Sequence, residues 1–201
     1  MAQFGASIQT AQITTGNFQT TIDQYVSGYA GYPNNPGARN QVGAAYYDST
    51  GSNSNPWGVP GKYRYVQYVS TSNPALTSVT GPFLVYWVDA TFTSVTPVYS
   101  ESLTGGINMV AGLAMPNVTA LTTLTAAILN NNYIWICVGG YVSGVYIASA
   151  SVSAGNSLYG STTNFQPGTT AAGTAPTNRV LGWATTAGSS NLCNVLVAVE
   201  S

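Results

Sequence analysis

The rhythm of hydrophobic and polar positions changes near residue 60. From Lys62 onward, Tyr63, Tyr65, Gln67 and Val69 alternate with Arg64, Val66 and Tyr68, the two-residue period of a β-strand. Residues 83–88 form a run rich in β-branched and aromatic side chains, as strands are. Runs at 107–114, 133–138, 141–148, 180–185 and 192–199 predict further strands. Gly139-Gly140 stands between two of them and predicts a two-residue hairpin. Gly188-Ser189-Ser190 predicts a turn joining the last two. Short strands at near-regular spacing with turn residues between them point to a mainly β fold, an antiparallel sandwich or barrel over residues 61–201.

Before residue 60 that rhythm is missing. Residues 1–32 are rich in Gln and Thr, and Pro33, Pro36, Pro56 and Pro60 follow amid Asn, Gly and Ser. Proline fixes φ and removes a donor, while Gly and Asn accept left-handed conformations, so 32–37 and 49–60 are predicted loops around a brief apolar patch at 42–47. Residues 1–60 therefore read as an extended, loop-rich N-terminal arm. Two later segments break the β pattern. Leu121, Leu124, Ile128 and Leu129 have the spacing of one helix face but sit in Thr-rich sequence, so 121–129 fits a short helix or an irregular segment. Residues 156–178, rich in Gly, Thr and Ala, read as a long loop.

Charge changes the picture most. Of 201 residues only 4% are Asp, Glu, Lys or Arg, with a net charge of −1, against roughly a quarter in an ordinary soluble domain. Apolar residues make up 45%, enough for a sizeable core. The surface must then be built from hydroxyls, amides and glycine, and low net charge favours association. An assembly subunit, largely covered by neighbours, is the expectation. Arg39, Lys62, Arg64 and Arg179 are the only cations; they make no basic face, so no nucleic-acid partner is expected. Residues 1–16 show neither a basic n-region nor an apolar h-region, and 133–142 is too short to span a bilayer. Synthesis in a cytoplasm with no membrane partner is the corresponding expectation.

The residues for chemistry are sparse. Histidine is absent, which excludes Ser-His-Asp and Cys-His catalysis. Asp23, Asp48, Asp89, Glu101 and Glu200 are far apart in sequence. Two of them could meet as a glycosidase pair, but solvated or paired acids are the plainer reading. Residues 48–53 have the oxygens of a calcium loop but too few carboxylates, and read as a turn. Asn117-Val118-Thr119 matches the glycosylation triplet without any export signal. Cys137 and Cys193 each lie in apolar runs and read as buried free thiols, though a disulfide between paired strands stays open. No catalytic, metal or cofactor site is expected. Fourteen tyrosines and four tryptophans remain as adhesive groups. Tyr25, Tyr29, Tyr32, Tyr46 and Tyr47 fall in the arm, where no local core claims them, and are the candidate interface residues. Tyr63, Tyr65, Trp87 and Trp135 fall in predicted strands and read as core.

Several segments resemble tailed-bacteriophage virion proteins of the head-decoration (capsid cement) or minor capsid type. They are Gly61-Lys62-Tyr63-Arg64-Tyr65-Val66 as an opening strand, Tyr133-Ile134-Trp135-Ile136-Cys137-Val138-Gly139-Gly140 as an aromatic strand ending in a glycine turn, residues 150–157 with Ala154-Gly155-Asn156 as a turn, Asn156 standing where the resemblance expects an acid, and residues 179–184 with 194–199 as a terminal hairpin. The sparse charge departs from that pattern. The resemblance implies a small β protein on an icosahedral capsid surface, partnered by the major capsid protein and by copies of itself, with a homotrimer favoured. The alternatives are a tail, fibre or baseplate component that binds host glycans and, third, a carboxylate-dependent glycan hydrolase.

Overall fold

The computed structural model describes residues 45–48, 61–72, 79, 81–103, 109–115, 133–147, 151–171, 173–174 and 178–199. The architecture is mainly β, as the alternation predicts, and the barrel form of that prediction is the one realised. Among the described residues ten strands occur in the order β1 (Ala45–Asp48), β2 (Gly61–Tyr68), β3 (Phe83–Trp87), β4 (Ser94–Thr96), β5 (Val110–Ala114), β6 (Tyr133–Tyr146), β7 (Ser157–Tyr159), β8 (Gly168–Thr170), β9 (Val180–Ala184) and β10 (Leu192–Ala198). A 3-10 turn, Tyr99–Glu101, follows β4.

Sheet order runs β1-β2-β4-β3-β5-β6-β10-β9-β7-β8, and an added pairing of β2 with β6 closes β2, β4, β3, β5 and β6 into a five-stranded barrel. All these pairings are antiparallel except β2 with β4. Strand β6 belongs to both halves of the molecule. Its first part pairs with β2 and β5, and its second with β10, from which β9, β7 and β8 extend as an open sheet.

That long strand corrects one expectation. Gly139-Gly140 does not turn the chain; residues 133–146 are continuous strand. The glycines sit beside a bulge, where the β2–β6 register steps from Lys62↔Gly139 to Tyr63↔Cys137. Gly140, at φ 110°, pairs with both Gly61 and Val197. Glycine in a strand marks such a bend and close backbone approach as readily as a hairpin. The hairpin between β9 and β10 forms where expected, around residues 188–190. The span 156–178 contains β7 and β8, so it is not wholly loop. Tyr159 lies across Gly168 there: a Cβ on that glycine would come within 2.5 Å of the ring, so the aromatic covers the space the glycine leaves.

Two buried clusters lie on opposite faces of the barrel strands. Val66, Tyr68, Val85, Val95, Ala111, Ile136 and Val138 belong to one, which draws on all five barrel strands. Tyr63, Tyr65, Leu84, Leu113, Trp135 and Cys137 belong to the other, which continues into Val142, Leu158, Leu181, Val195 and Val197 of the open sheet. Tyr63, Tyr65, Trp87 and Trp135 are thus core residues, as predicted. The segment between β7 and β8 reaches back to the barrel. Phe165 donates its N–H to Pro97 and accepts from Leu84, and its ring meets Phe83 edge-on at 5.5 Å. It occupies the place that β4, only three residues long, leaves open beside β3. The Tyr86 hydroxyl donates to the Ser161 carbonyl and accepts from the Ser161 N–H, fixing the same segment.

Candidate interaction surfaces

Strand β10 shows how the exposed surface arises. Cys193, Val195 and Val197 point into the core, so Leu196 must point out. Leu196 pairs with Trp183 of β9 on one side and Tyr141 of β6 on the other. Directly paired residues place their Cβ atoms on the same face. Leu196 is 45% exposed, Trp183 43%, and Tyr141 half-buried. The result is an apolar row across three strands with no charged residue in it. Among the described residues the charges near that face are Lys62, paired with Gly139, which also pairs with Ala198, and Arg179, whose guanidinium donates to the Val199 carbonyl at 3.1 Å.

A second apolar feature is a protrusion. The turn between β3 and β4 is tied by Asp89. One carboxylate oxygen accepts from the Thr91 N–H at 2.8 Å, the Thr91 hydroxyl and the Thr93 N–H, and the other accepts from the Ser94 N–H at 2.8 Å. Desolvation pushes this carboxyl up, but those hydrogen bonds outweigh it and leave the pKa below the usual range. The turn presents Phe92, 41% exposed, at φ 54°. A bulky side chain in the left-handed region is a genuine outlier. The Phe92 ring rests edge-on against Trp87 at 5.6 Å, and the Arg64 guanidinium lies 5.0 Å from the Trp87 ring centre.

Glu101, the other acid whose side chain is described, is also engaged. It accepts from the N–H and hydroxyl groups of Thr71 and Ser72 and from the Thr96 hydroxyl. Desolvation raises its pKa, but the hydrogen bonds from Ser72, Thr71 and Thr96 overcome that and bring it down to about 2. Asp89 and Glu101 thus tie separate turns together. Cys137 and Cys193 are both free and buried. Burial pushes the Cys137 thiol up to about 12 and the Cys193 thiol up to about 11, so both are protonated at neutral pH. Among the described residues no group of three His, Cys, Asp or Glu could hold a metal, and no helix is long and apolar enough to cross a membrane.

Of the candidate interface residues, Tyr46 and Tyr47 lie in β1, whose backbone pairs with β2 at Tyr46↔Tyr63 and Tyr47↔Lys62; part of the segment read as arm is therefore sheet. Their side chains, together with Tyr25, Tyr29 and Tyr32, lie outside the described residues, as do the 121–129 segment, the Asn117 triplet, Asp23, Glu200 and residues 49–53. Sequence reasoning missed Phe92, Tyr141, Trp183 and Leu196 as surface groups. The parity of Val195 and Val197 could have found Leu196. A phenylalanine alone among Asp, Thr and Ser in a turn could have found Phe92. No protein-family model, no curated protein and no solved structure matches this chain.

Proposed function

We propose that this chain is a non-catalytic structural protein of a virion, of the head-decoration type, which works by packing uncharged surface against the major capsid protein and copies of itself. The observation that carries the assembly reading is the charge-free row Trp183–Leu196–Tyr141 on a chain with almost no charge anywhere. Removing apolar surface from water contributes on the order of 25 cal/mol per Å², and here no charged group on the row has to be desolvated first. The arm, with Tyr25, Tyr29, Tyr32, Tyr46 and Tyr47, adds intersubunit contact. The virion context rests on the resemblance of residues 61–66, 133–140, 150–157, 179–184 and 194–199. The engagement of Asp89 and Glu101 in turn hydrogen bonds supports a role without catalysis.

One observation favours a second reading. An exposed indole on a flat sheet can stack on a sugar ring, so Trp183 suits a tail, fibre or baseplate module that binds host glycans. Quantitative mass spectrometry of particles purified from the source separates the two. Decoration predicts a copy number in simple ratio to the major shell protein. A few copies per particle would favour the tail reading, and absence from particles would overturn both.

A further inference from the structure

The exposed large hydrophobic residues among those described are Phe92, Trp183 and Leu196. They sort into two shapes in two places. Phe92 is a knob on a turn; Trp183 and Leu196, with Tyr141, make a flat row on the open sheet. Strand β2 measures the distance between them. The Phe92 turn is held at one end, where the Gln67 N–H donates to the Thr93 carbonyl at 2.9 Å. The row begins at the other end, since Tyr141 follows Gly140, the partner of Gly61. About six residues of strand at roughly 3.3 Å each put about 20 Å between them. The knob cannot reach the row of its own chain.

We propose that the knob of one copy docks on the row of the next, so that copies of this chain associate head to tail. A contact between two different patches is heterologous and closes into a ring when its rotation allows. Three observations support a second copy as the occupant. The row is uncharged, the carboxylate beneath the knob is consumed by its turn, and a net charge of −1 gives copies almost no mutual repulsion. The knob is strained as well as exposed. A turn residue at φ 54° would sit more easily as Gly or Asn, and strained conformations concentrate where a side chain is presented for use. The row is also small, three side chains of which Trp183 and Leu196 are less than half exposed, against roughly 20 residues a side in a standard interface. A single contact is therefore weak, and ring closure supplies the avidity.

This deepens the assembly reading, which it rests on for context only, because the test uses the purified full chain without particles. Sedimentation velocity over a concentration series should show wild-type chain associating into a closed species. Phe92→Gly and Trp183→Ser should each weaken self-association by roughly tenfold or more. Phe92→Gly should keep its thermal midpoint, because glycine relieves the left-handed strain; Phe92→Asn, also at home there, is the second variant and should behave alike. Mixing the two single variants is decisive. Phe92→Gly retains the row and Trp183→Ser retains the knob, so an equimolar mixture should form a dimer and nothing larger, at concentrations above those at which wild type associates because no ring reinforces its one contact. A wild type that stays monomeric overturns the proposal, as does a folded Phe92→Gly that associates like wild type, or a mixture of folded variants that associates no more than either variant alone at the highest concentrations of the series. Complementation by a chain that is absent from particles would keep this contact and sink the virion reading; a monomeric chain in stoichiometric copy on particles would do the reverse.

Discussion

The barrel and the open sheet use the same residue types under opposite rules of burial. In the barrel, β3 and β5 are buried at every position, because each strand has core on both faces. In the open sheet, β10 alternates, with Val195 and Val197 inside and Leu196 and Ala198 outside. A strand buried on both faces can only hold the fold together. A strand with one free face can also offer a surface, and the row of Tyr141, Leu196 and Trp183 lies on such strands. The half-solvated part of the molecule is therefore where strands offer a surface to partners, while the barrel strands support it and offer contact only through a turn, that of Phe92.

The contrast breaks if barrel substitutions prove mild. Leu113 is fully buried between β3 and β6, paired with Leu84 and Cys137, so its truncation leaves a cavity in the wall. Leu113→Ala should cost about 3 kcal/mol, read by urea unfolding as a lower midpoint at unchanged slope. Gly112 beside it is at φ 147°, and a Cβ there would collide with the Cys137 carbonyl oxygen. Gly112→Ala should cost about 2 kcal/mol or more, because both the backbone conformation and the space are wrong for a side chain. A midpoint within error of wild type for either variant would show that the barrel wall is looser than its burial implies.

The same contrast explains what was legible in the sequence. The alternation of residues 63–69 and 192–199 gave strands because one face differs from the other or because aromatic residues mark it. The closed barrel was not legible, since β2 meets β6 about seventy residues away in sequence and periodicity carries no information on such pairing. Strand β4, Ser-Val-Thr, is too short to show a period at all. Gly139-Gly140 misled because glycine serves a bulge as well as a turn, and only the partners Lys62 and Tyr63 decide between them. Of the surface, the poverty of charge was plain from composition, but which aromatics face out depends on which faces the fold covers. The tyrosines of the arm stood out because no strand pattern claimed them, whereas Trp183 was hidden by lying in a strand.

A smaller effect concerns the segment that leaves the barrel after β2. Glu101 holds Thr71 and Ser72 only while ionised. Its folded pKa of about 2 lies below the value of 4.5 expected when the chain is unfolded. The contribution is therefore fully present above about pH 4.5 and is lost as pH falls through about 2. Because the carboxylate is partly exposed, solvent screening reduces it to about 1 kcal/mol. Glu101→Gln should lower stability by about that much at pH 7 and by clearly less near pH 2, where the carboxyl is becoming protonated in the folded chain, measured by chemical unfolding at both. An equal loss at both pH values would mean that packing, not charge, holds the segment.

The smallest expected effect gives the sharpest test, because it compares neighbours one residue apart. Val195 is fully buried and Leu196 is 45% exposed, although both are aliphatic and both lie in β10 between β6 and β9. Backbone propensity, strand pairing and distance from the barrel are therefore nearly the same for the two. What differs is the face. Val195 packs in the cluster that joins the open sheet to Trp135 and Leu113, so Val195→Ala loses buried methyl groups and should cost about 2 kcal/mol. Leu196→Ala removes a larger side chain that water already touches, and should change stability by less than about 0.5 kcal/mol. If Leu196 serves contact between copies, that near-silent change should still weaken concentration-dependent association, whereas Val195→Ala should weaken it only as far as it unfolds the chain. Comparable losses of stability for the two would mean that the outer face is covered within a single chain, and the division of labour between barrel and open sheet would fall with it.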